Sequence, residues 1–311
     1  MGWQERARAS AHPPGPPQGR ADQTPRLTAG ASGALWCAAN LSEGKDRAVL
    51  AALRSAAGDT LADVHVDRDH HRSVFTLLGG SAAVVDAALS LAVTAIELID
   101  LRAHRGAHPR FGVLDVVPFT PVGHATMGDA IAAREHTIER LGALGVPCFR
   151  YGPLPDGTVR SLPEVRRAAF KGLDPDRGSA DPSPRVGACA VGARGPLVAW
   201  NVWLQGATLA ATSAIARSIR SDAVRALGFE VAGATQVSCN LLEPTRVTPK
   251  DVYLLVEQRL ADGAHVVRCE LVGLVGDDVL DATPESWWER LDLSVDRTVG
   301  TSAARIGLAL G

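Results

Sequence analysis

The same order of apolar patterns occurs twice in this chain, and that duplication restricts the fold more than any other feature. Residues 34–39 form a short apolar run expected to be a strand. Residues 45–57 place Val49, Leu50 and Leu53 on one helical face, with Ser42 positioned as a cap. Residues 61–67 alternate, 73–78 form another strand closed by Gly79-Gly80, and 82–103 repeat Val85, Leu89, Ala92, Ile96 and Ile99 at helical spacing before a strand over 111–117. This order, β-α-β-β-α-β, is the split βαβ of ferredoxin-like folds. It returns as a strand over 196–204, with Trp200, Val202 and Leu204 on one side, a helix over 208–226 and strands over 227–231 and 235–242. A helix over 248–261, with Thr248 as cap and Pro249 at its first position, and a strand over 265–272 complete the second copy. The expected class is therefore α/β (α+β), with two duplicated ferredoxin-like subdomains. Each unit covers one face of its sheet with helices, so packing the two bare faces together is the simplest burial. Between the copies, residues 125–144 read as a helix, 146–150 as a strand and 162–170 as a helix.

The expected boundaries are a disordered tail over 1–33, an N-terminal subdomain over 34–195 and a C-terminal subdomain over 196–311. The tail contains Pro13, Pro14, Pro16 and Pro17 and no apolar core of a signal peptide; a mis-assigned translation start is the alternative to a disordered tail. A net charge of −2 argues against a protein that binds nucleic acid by neutralising phosphates. Split βαβ units also build RNA-recognition domains, but the aromatic strand pattern of those domains is missing. No apolar stretch reaches the roughly 18 residues of a membrane helix without polar interruption, so no membrane association is expected. Cys37, Cys148, Cys189, Cys239 and Cys269 show no CxxC pair and lie in or beside apolar runs. They read as buried, reduced thiols of a cytoplasmic protein, without zinc or disulfides.

The segment 104–115, HRGAHPRFGVLD, sets His108 between Gly106 and Pro109, beside Arg105 and Arg110. Gly and Pro oppose a helix, so the histidine is expected on a shaped loop, where an imidazole among guanidiniums suits proton transfer next to an anionic substrate. His104 and His108 have the spacing of a helical metal pair, but the broken helix removes that reading, and no metal is expected. Taken alone, a loop histidine is more often structural or solvated. Residues 174–187, DPDRGSADPSPRVG, are either a plain linker or a loop that closes over a ligand between the halves. His70-His71 before Arg72 reads as a polar turn. Asn40 with Gly44 fits a strand-to-helix turn as well as a site. Asn201 and Asn240 lie in apolar strands and need partners, from the fold or from the groove.

Several blocks in order together resemble the formiminotransferase family. They are 37–44 (CAANLSEG), 69–76 (DHHRSVFT), 98–100 (LID), 116–121 (VVPFTP), 150–152 (RYG), 192–194 (GAR), 199–201 (AWN), 236–242 (QVSCNLL) and 270–275 (ELVGLV). The resemblance implies two ferredoxin-like subdomains around a groove for tetrahydrofolate. It implies transfer of a formimidoyl group from N-formimidoyl-L-glutamate to a folate ring nitrogen in histidine degradation, and a homodimer. His108 matches the family's catalytic histidine. Asn40 and Gly44 fall in a matching block. The folate loop matches 178–187, with Gly178, Asp181, Pro182, Arg185 and Gly187, and a second folate segment falls near 219–228, with Arg225 and Gly228. For that chemistry, Asp67 or Asp115 suits the amidinium, and Arg72, Arg105, Arg110 or Arg185 suits the substrate carboxylates. The chain departs from the family at Trp36 (usually Glu), His71 (usually Asn), Trp203 (usually Asn) and Ala169 (usually acidic), and its folate loop lacks the usual Trp-x-Pro-Asp-Phe-Gly-Pro run. Indole in the groove adds bulk of about 150–250 Å². The alternative is therefore a paralogue that binds folate or another small molecule with lost or altered transfer.

Overall fold

Alternation along the first strand decides how the first layer is built. In β1 (Ala34–Leu41), Leu35, Cys37, Ala39 and Leu41 join the core under the helices, while Trp36, Ala38 and Asn40 face the opposite way into a cleft. The computed structural model describes residues 33–106, 110–231 and 233–310, so His108 and almost all of the expected N-terminal tail lie outside the described residues. The first unit continues with α1 (Arg47–Ala57), β2 (Leu61–Asp67), β3 (Arg72–Gly80), α2 (Ser81–Leu98) and β4 (Leu114–Val122). A connecting region follows, with α3 (Met127–Ala143), β5 (Cys148–Pro153), β6 (Val159–Arg160), α4 (Leu162–Ala168) and β7 (Cys189–Ala193). The second unit comprises β8 (Val198–Gln205), α5 (Leu209–Ser218), β9 (Val224–Val231), β10 (Ala234–Leu241), α6 (Pro249–Glu257) and β11 (His265–Val272). Short helices α7 (Asp277–Asp281), α8 (Trp288–Leu291) and α9 (Val299–Arg305) close the chain.

The strand orders confirm the duplication. The first sheet runs β2-β3-β1-β4-β7-β5-β6 and the second β11-β8-β10-β9. Within each unit the fourth strand lies beside the first, then the third, then the second. The first sheet is wider than the repeat requires because β7 pairs in parallel with both β4 and β5. The sequence did not mark β7 as a strand. All five of its residues (CAVGA) are buried, so no polar alternation signals it.

Several expected boundaries shift for local reasons. Helix α1 is capped by Asp46, whose carboxylate accepts from Ala48 N (2.8 Å) and Val49 N (3.2 Å), and not by Ser42, whose hydroxyl donates to Gly112 O (2.8 Å). Helix α2 stops at Leu98, short of the expected 103, because Ile99 is extended and Asp100 then binds Arg102 N (2.9 Å). Helix α5 stops at Ser218 and β9 begins at Val224, earlier than 227, because Ser221 Oγ accepts from Ala223 N (3.2 Å) and Val224 N (3.1 Å). Thr248 and Pro249 start α6 as expected. At 18 residues and a mean hydropathy of 1.7, α2 is long and apolar enough to cross a membrane, but here Val84, Val85, Ala88, Leu91 and Ala95 are fully buried in the core beneath it. All five cysteines are buried and free.

The helix-free faces of the two sheets oppose each other. His65 on β2 faces Glu270 on β11 (3.7 Å), and the His70 ring meets Phe229 on β9 edge-on (5.5 Å). One end of the interface is sealed by Trp36 and Leu78 packed with Leu274 and with Val299 and Ala303 of α9. The wide edge of the first sheet depends on Arg134 of α3, which is 1% exposed, pairs with Glu135 (2.9 Å) and donates to the carbonyls of Tyr151 (3.1 Å) and Pro153 (2.5 Å). Arg134→Met leaves those carbonyls unpaired in the interior, and urea unfolding should show a loss of about 3 kcal/mol.

Candidate active-site cleft

The cleft between the sheets, of about 210 Å³, is polar on both walls. The first sheet contributes Asn40, His65, Asp67, His70 and Arg72, and the second contributes Asn201, Gln236, Ser238 and Asn240. These side chains share the cleft because they occupy alternate, non-core positions of their strands or the turn between β2 and β3. Arg72 donates to Asn40 Oδ1 and lies 4.0 Å from Asp115; burial lowers its pKa, and Asp115 opposes that fall. Asn40 also donates to Ala38 O (2.9 Å), so it is a strand residue of the cleft wall and not part of a strand-to-helix turn. Asp67 accepts from the His70 backbone N–H and pairs with the His70 ring, both at 2.7 Å. Burial alone would raise its pKa, but those bonds hold it below the ordinary value.

The segment that carries His108 is fixed at both flanks. On one side, Arg105 O receives the His71 ring (2.9 Å), and Gly106 packs so closely on His70 that a Cβ there would lie 2.3 Å from His70 O. On the other, Arg110 donates to His104 Nδ1 and to Gly106 O (2.7 Å), joining the two flanks. His104 is buried, which pushes its pKa down to about 4, and its Nε2 has no partner among the described residues. Asp115 is the extra residue at a bulge where Asn40 pairs with Val116 and Leu41 with Leu114. It accepts from Phe111 N (2.7 Å) and pairs with Arg166 (2.5 Å). It is 2% exposed, so the structure uses it to hold the end of the segment and leaves it little access to a ligand.

The 178–187 loop packs against the segment that follows α2. None of its residues lines the cleft. Instead, Leu101 N donates to Arg185 O (3.0 Å), Val113 N to Val186 O (2.9 Å) and Ala188 N to Phe111 O (2.9 Å), while the Arg185 guanidinium reaches Glu97 O (2.8 Å). These bonds lay the loop along the 99–113 segment and the end of α2, so it buttresses the His108 segment. Gly187, at φ +74°, permits the approach, since a Cβ there would sit 2.4 Å from Phe111 O. Gly178 has φ +89°, and Asp181 and Pro182 are exposed. Gly44 lies against the β2–β3 turn, where a Cβ would meet Asp67 O at 2.2 Å. Gly228 faces α5, where a Cβ would lie 2.8 Å from the Ser213 backbone, so it closes helix on strand and does not contact the cleft. Arg225 is exposed on β9, paired in register with Asn240 of the cleft wall.

The structure also assigns places to side chains that the sequence did not single out. Arg194 and Tyr151 line the cleft and bond to each other; burial pushes the tyrosine up to about 12 and the arginine down. Glu270 accepts from Trp203 Nε1 (2.8 Å) and Asn201 Nδ2 (3.1 Å). The Trp203 indole lies under the Arg268 guanidinium (4.2 Å) and does not line the cleft, so its bulk takes no ligand space. Trp36 does line it, at the end sealed by α9. Alternation was an available signal for Trp36 on β1, Trp203 on β8 and Glu270 on β11, whereas Tyr151 on β5 and Arg194 just after β7 lie in the added part of the first sheet. Among the described residues, no three His, Cys, Asp or Glu side chains converge as a metal site requires.

Glu43 sits behind the β2–β3 turn. Burial would raise its pKa, but hydrogen bonds from the Asp46 and Lys45 N–H groups and from His71 outweigh that and hold it below its ordinary 4.5. A carboxyl depressed by folding stabilises the protein above its unfolded pKa and loses that contribution as pH falls through the folded value. Glu43→Gln should therefore lower stability near neutral pH, with the gap from wild type closing below about pH 4.5 in urea unfolding at stepped pH.

Comparison with known proteins accounts for this arrangement. The profile described as "Formiminotransferase domain, N-terminal subdomain" matches residues 34–194. A glutamate formimidoyltransferase of Streptococcus pyogenes serotype M1 is 33% identical over 261 residues, covering 76% of this chain and 87% of that protein. One of Thermoplasma acidophilum is 34% identical over 268 residues, covering 78% and 88%. The formimidoyltransferase-cyclodeaminase of Gallus gallus is 35% identical over 271 residues, covering 77% of this chain and 49% of that protein. With its duplicated units and facing sheets, this chain belongs to the formiminotransferase family.

Proposed function

We propose that the protein is a glutamate formimidoyltransferase, moving a formimidoyl group from N-formimidoyl-L-glutamate to tetrahydrofolate as a step of histidine degradation. The observation that carries this reading is the similarity to glutamate formimidoyltransferases at 33–34% identity over about three quarters of the chain. The anchored flanks of His108 beside a polar cleft support it. On this reading, residues 34–195 and 196–311 are the two subdomains of the family, and the protein works as a cytoplasmic homodimer.

In the reaction, the folate nitrogen bonds to the formimidoyl carbon, and the bond from that carbon to the glutamate nitrogen breaks. His108 accepts the proton from the attacking nitrogen and delivers one to the departing nitrogen, so the histidine ends as it began. Asp67, ionised and lining the cleft, opposes the amidinium charge better than the buried and paired Asp115. Arg72 and Arg194 are the guanidiniums of the cleft wall suited to a substrate carboxylate, whereas Arg105 and Arg110 hold their own segment and Arg185 holds the loop.

The second reading, binding without transfer, draws on the Trp36 indole in the cleft. Purified protein incubated with N-formimidoyl-L-glutamate and tetrahydrofolate separates the two, with the folate product followed by absorbance. Turnover is expected, falling about 100- to 10,000-fold in His108→Ala. Folate binding without turnover favours the second reading, and turnover indifferent to His108→Ala removes the histidine from its role.

A further inference from the structure

The β2–β3 turn contains a histidine in an unusual setting. His71 adopts φ +51°, in the left-handed region that few side chains tolerate. Its two ring nitrogens meet oxygens that can only accept. Nδ1 lies 2.9 Å from Arg105 O and Nε2 lies 3.0 Å from Glu43 Oε1. A neutral imidazole has one N–H, so it satisfies one of these oxygens and turns a lone pair toward the other. The imidazolium donates to both. Glu43 is a poor place for the compensating proton, because Oε1 already accepts the N–H groups of Gly44 (2.8 Å), Lys45 (2.7 Å) and Asp46 (2.9 Å).

The surroundings favour the same state. The His71 ring stacks on His104 at 3.8 Å and 11°. Arg110 donates to His104 Nδ1, so His104 accepts there and is neutral, and the stack holds one charge at most. The Arg105 guanidinium is turned to Arg102 O (3.1 Å) and His104 O (2.8 Å). On the turn itself, Asp67 is paired with His70, and Arg72 is directed to Asn40 and Asp115. Glu43 is thus the anion that faces the ring.

We propose that His71 acts as an imidazolium strut, a positioning residue that fastens the His108 segment, through Arg105 and His104, to the turn whose His70 and Arg72 line the cleft. Its consequence for catalysis rests on the role proposed above for His108. The two histidines then require opposite protonation. His108 must be unprotonated to accept a proton, which gives a rate that rises with pH. His71 must be protonated to keep both bonds, so the rate falls on the alkaline side as the strut loses one of them.

Two-bond 1H–15N correlation of the histidine rings reads the strut directly, with or without turnover. Both His71 nitrogens are expected in the imidazolium range at neutral pH, and a single tautomer with one bare nitrogen overturns the proposal. His71→Asn keeps a residue that tolerates the left-handed turn but removes the titrating ring. In this variant kcat is expected to fall about tenfold near neutral pH, with both KM values within about twofold, and the alkaline limb of kcat should be lost. Glu43→Gln should move that limb to lower pH, because removing the carboxylate charge disfavours the imidazolium. An unchanged kcat and pH profile in folded His71→Asn overturns the positioning role. If the wild-type protein shows no transfer, the reading of its function fails, while the ring signals still decide the state of His71.

Discussion

Two sheets, each with helices on one face only, must bury their remaining faces against each other, and the rest of this structure follows from that constraint. If both faces were apolar, the halves would merge into one core. They are not: Asn40, His65, Asp67 and Arg72 oppose Asn201, Gln236, Ser238 and Asn240. Polar groups taken from water need partners. Some find them across the interface or within one wall, as Glu270 does with Asn201, Trp203 and His65. An apolar cluster seals one end, where Trp36, Leu78 and Leu274 meet α9. What remains is a cleft held open by its own polarity.

That cleft borders a segment whose position depends on both ends of the first unit. The turn between β2 and β3 supplies His70 and Arg72 to the cleft and His71 to the His108 segment. The 178–187 loop supports the same segment through backbone bonds with Leu101 and Val113, and Ala188 just after it bonds to Phe111. A loop histidine in water has many orientations. Here the described flanks on either side of it are tied down at 104–106 and again at 110–113. The loop matched to folate binding therefore has a structural duty whatever it binds.

The duplicated unit was legible because period-two and helical-period patterns are local, and both repeats carried them clearly. β7 was not, because a strand buried on both faces shows no alternation. The end of α5 was misjudged because Ser221 offers the backbone a competing hydrogen bond, which a hydrophobic pattern does not record. Cleft residues such as His65 and Gln236 occupied visible alternate positions, but nothing in a single strand says which strand of the other sheet it will face. The substitution at Trp203 looked like an obstruction in sequence; in space its indole N–H meets Glu270 and the ring stays out of the cleft.

The two ferredoxin-like units, the family and the histidine set between Gly106 and Pro109 are legible in the chain alone, since they rest on local periodicity, turn chemistry and ordered motifs. Packing in three dimensions was needed to show that Asp115 is consumed by Arg166, that Gly228 serves a helix contact, that the 178–187 loop packs along Leu101 and Val113, and that His71 meets two acceptors at once. The physical reason is the same in each case. A side chain's partners are set by strand register and sheet packing between residues tens of positions apart, and those distances are not written in any local stretch of the chain.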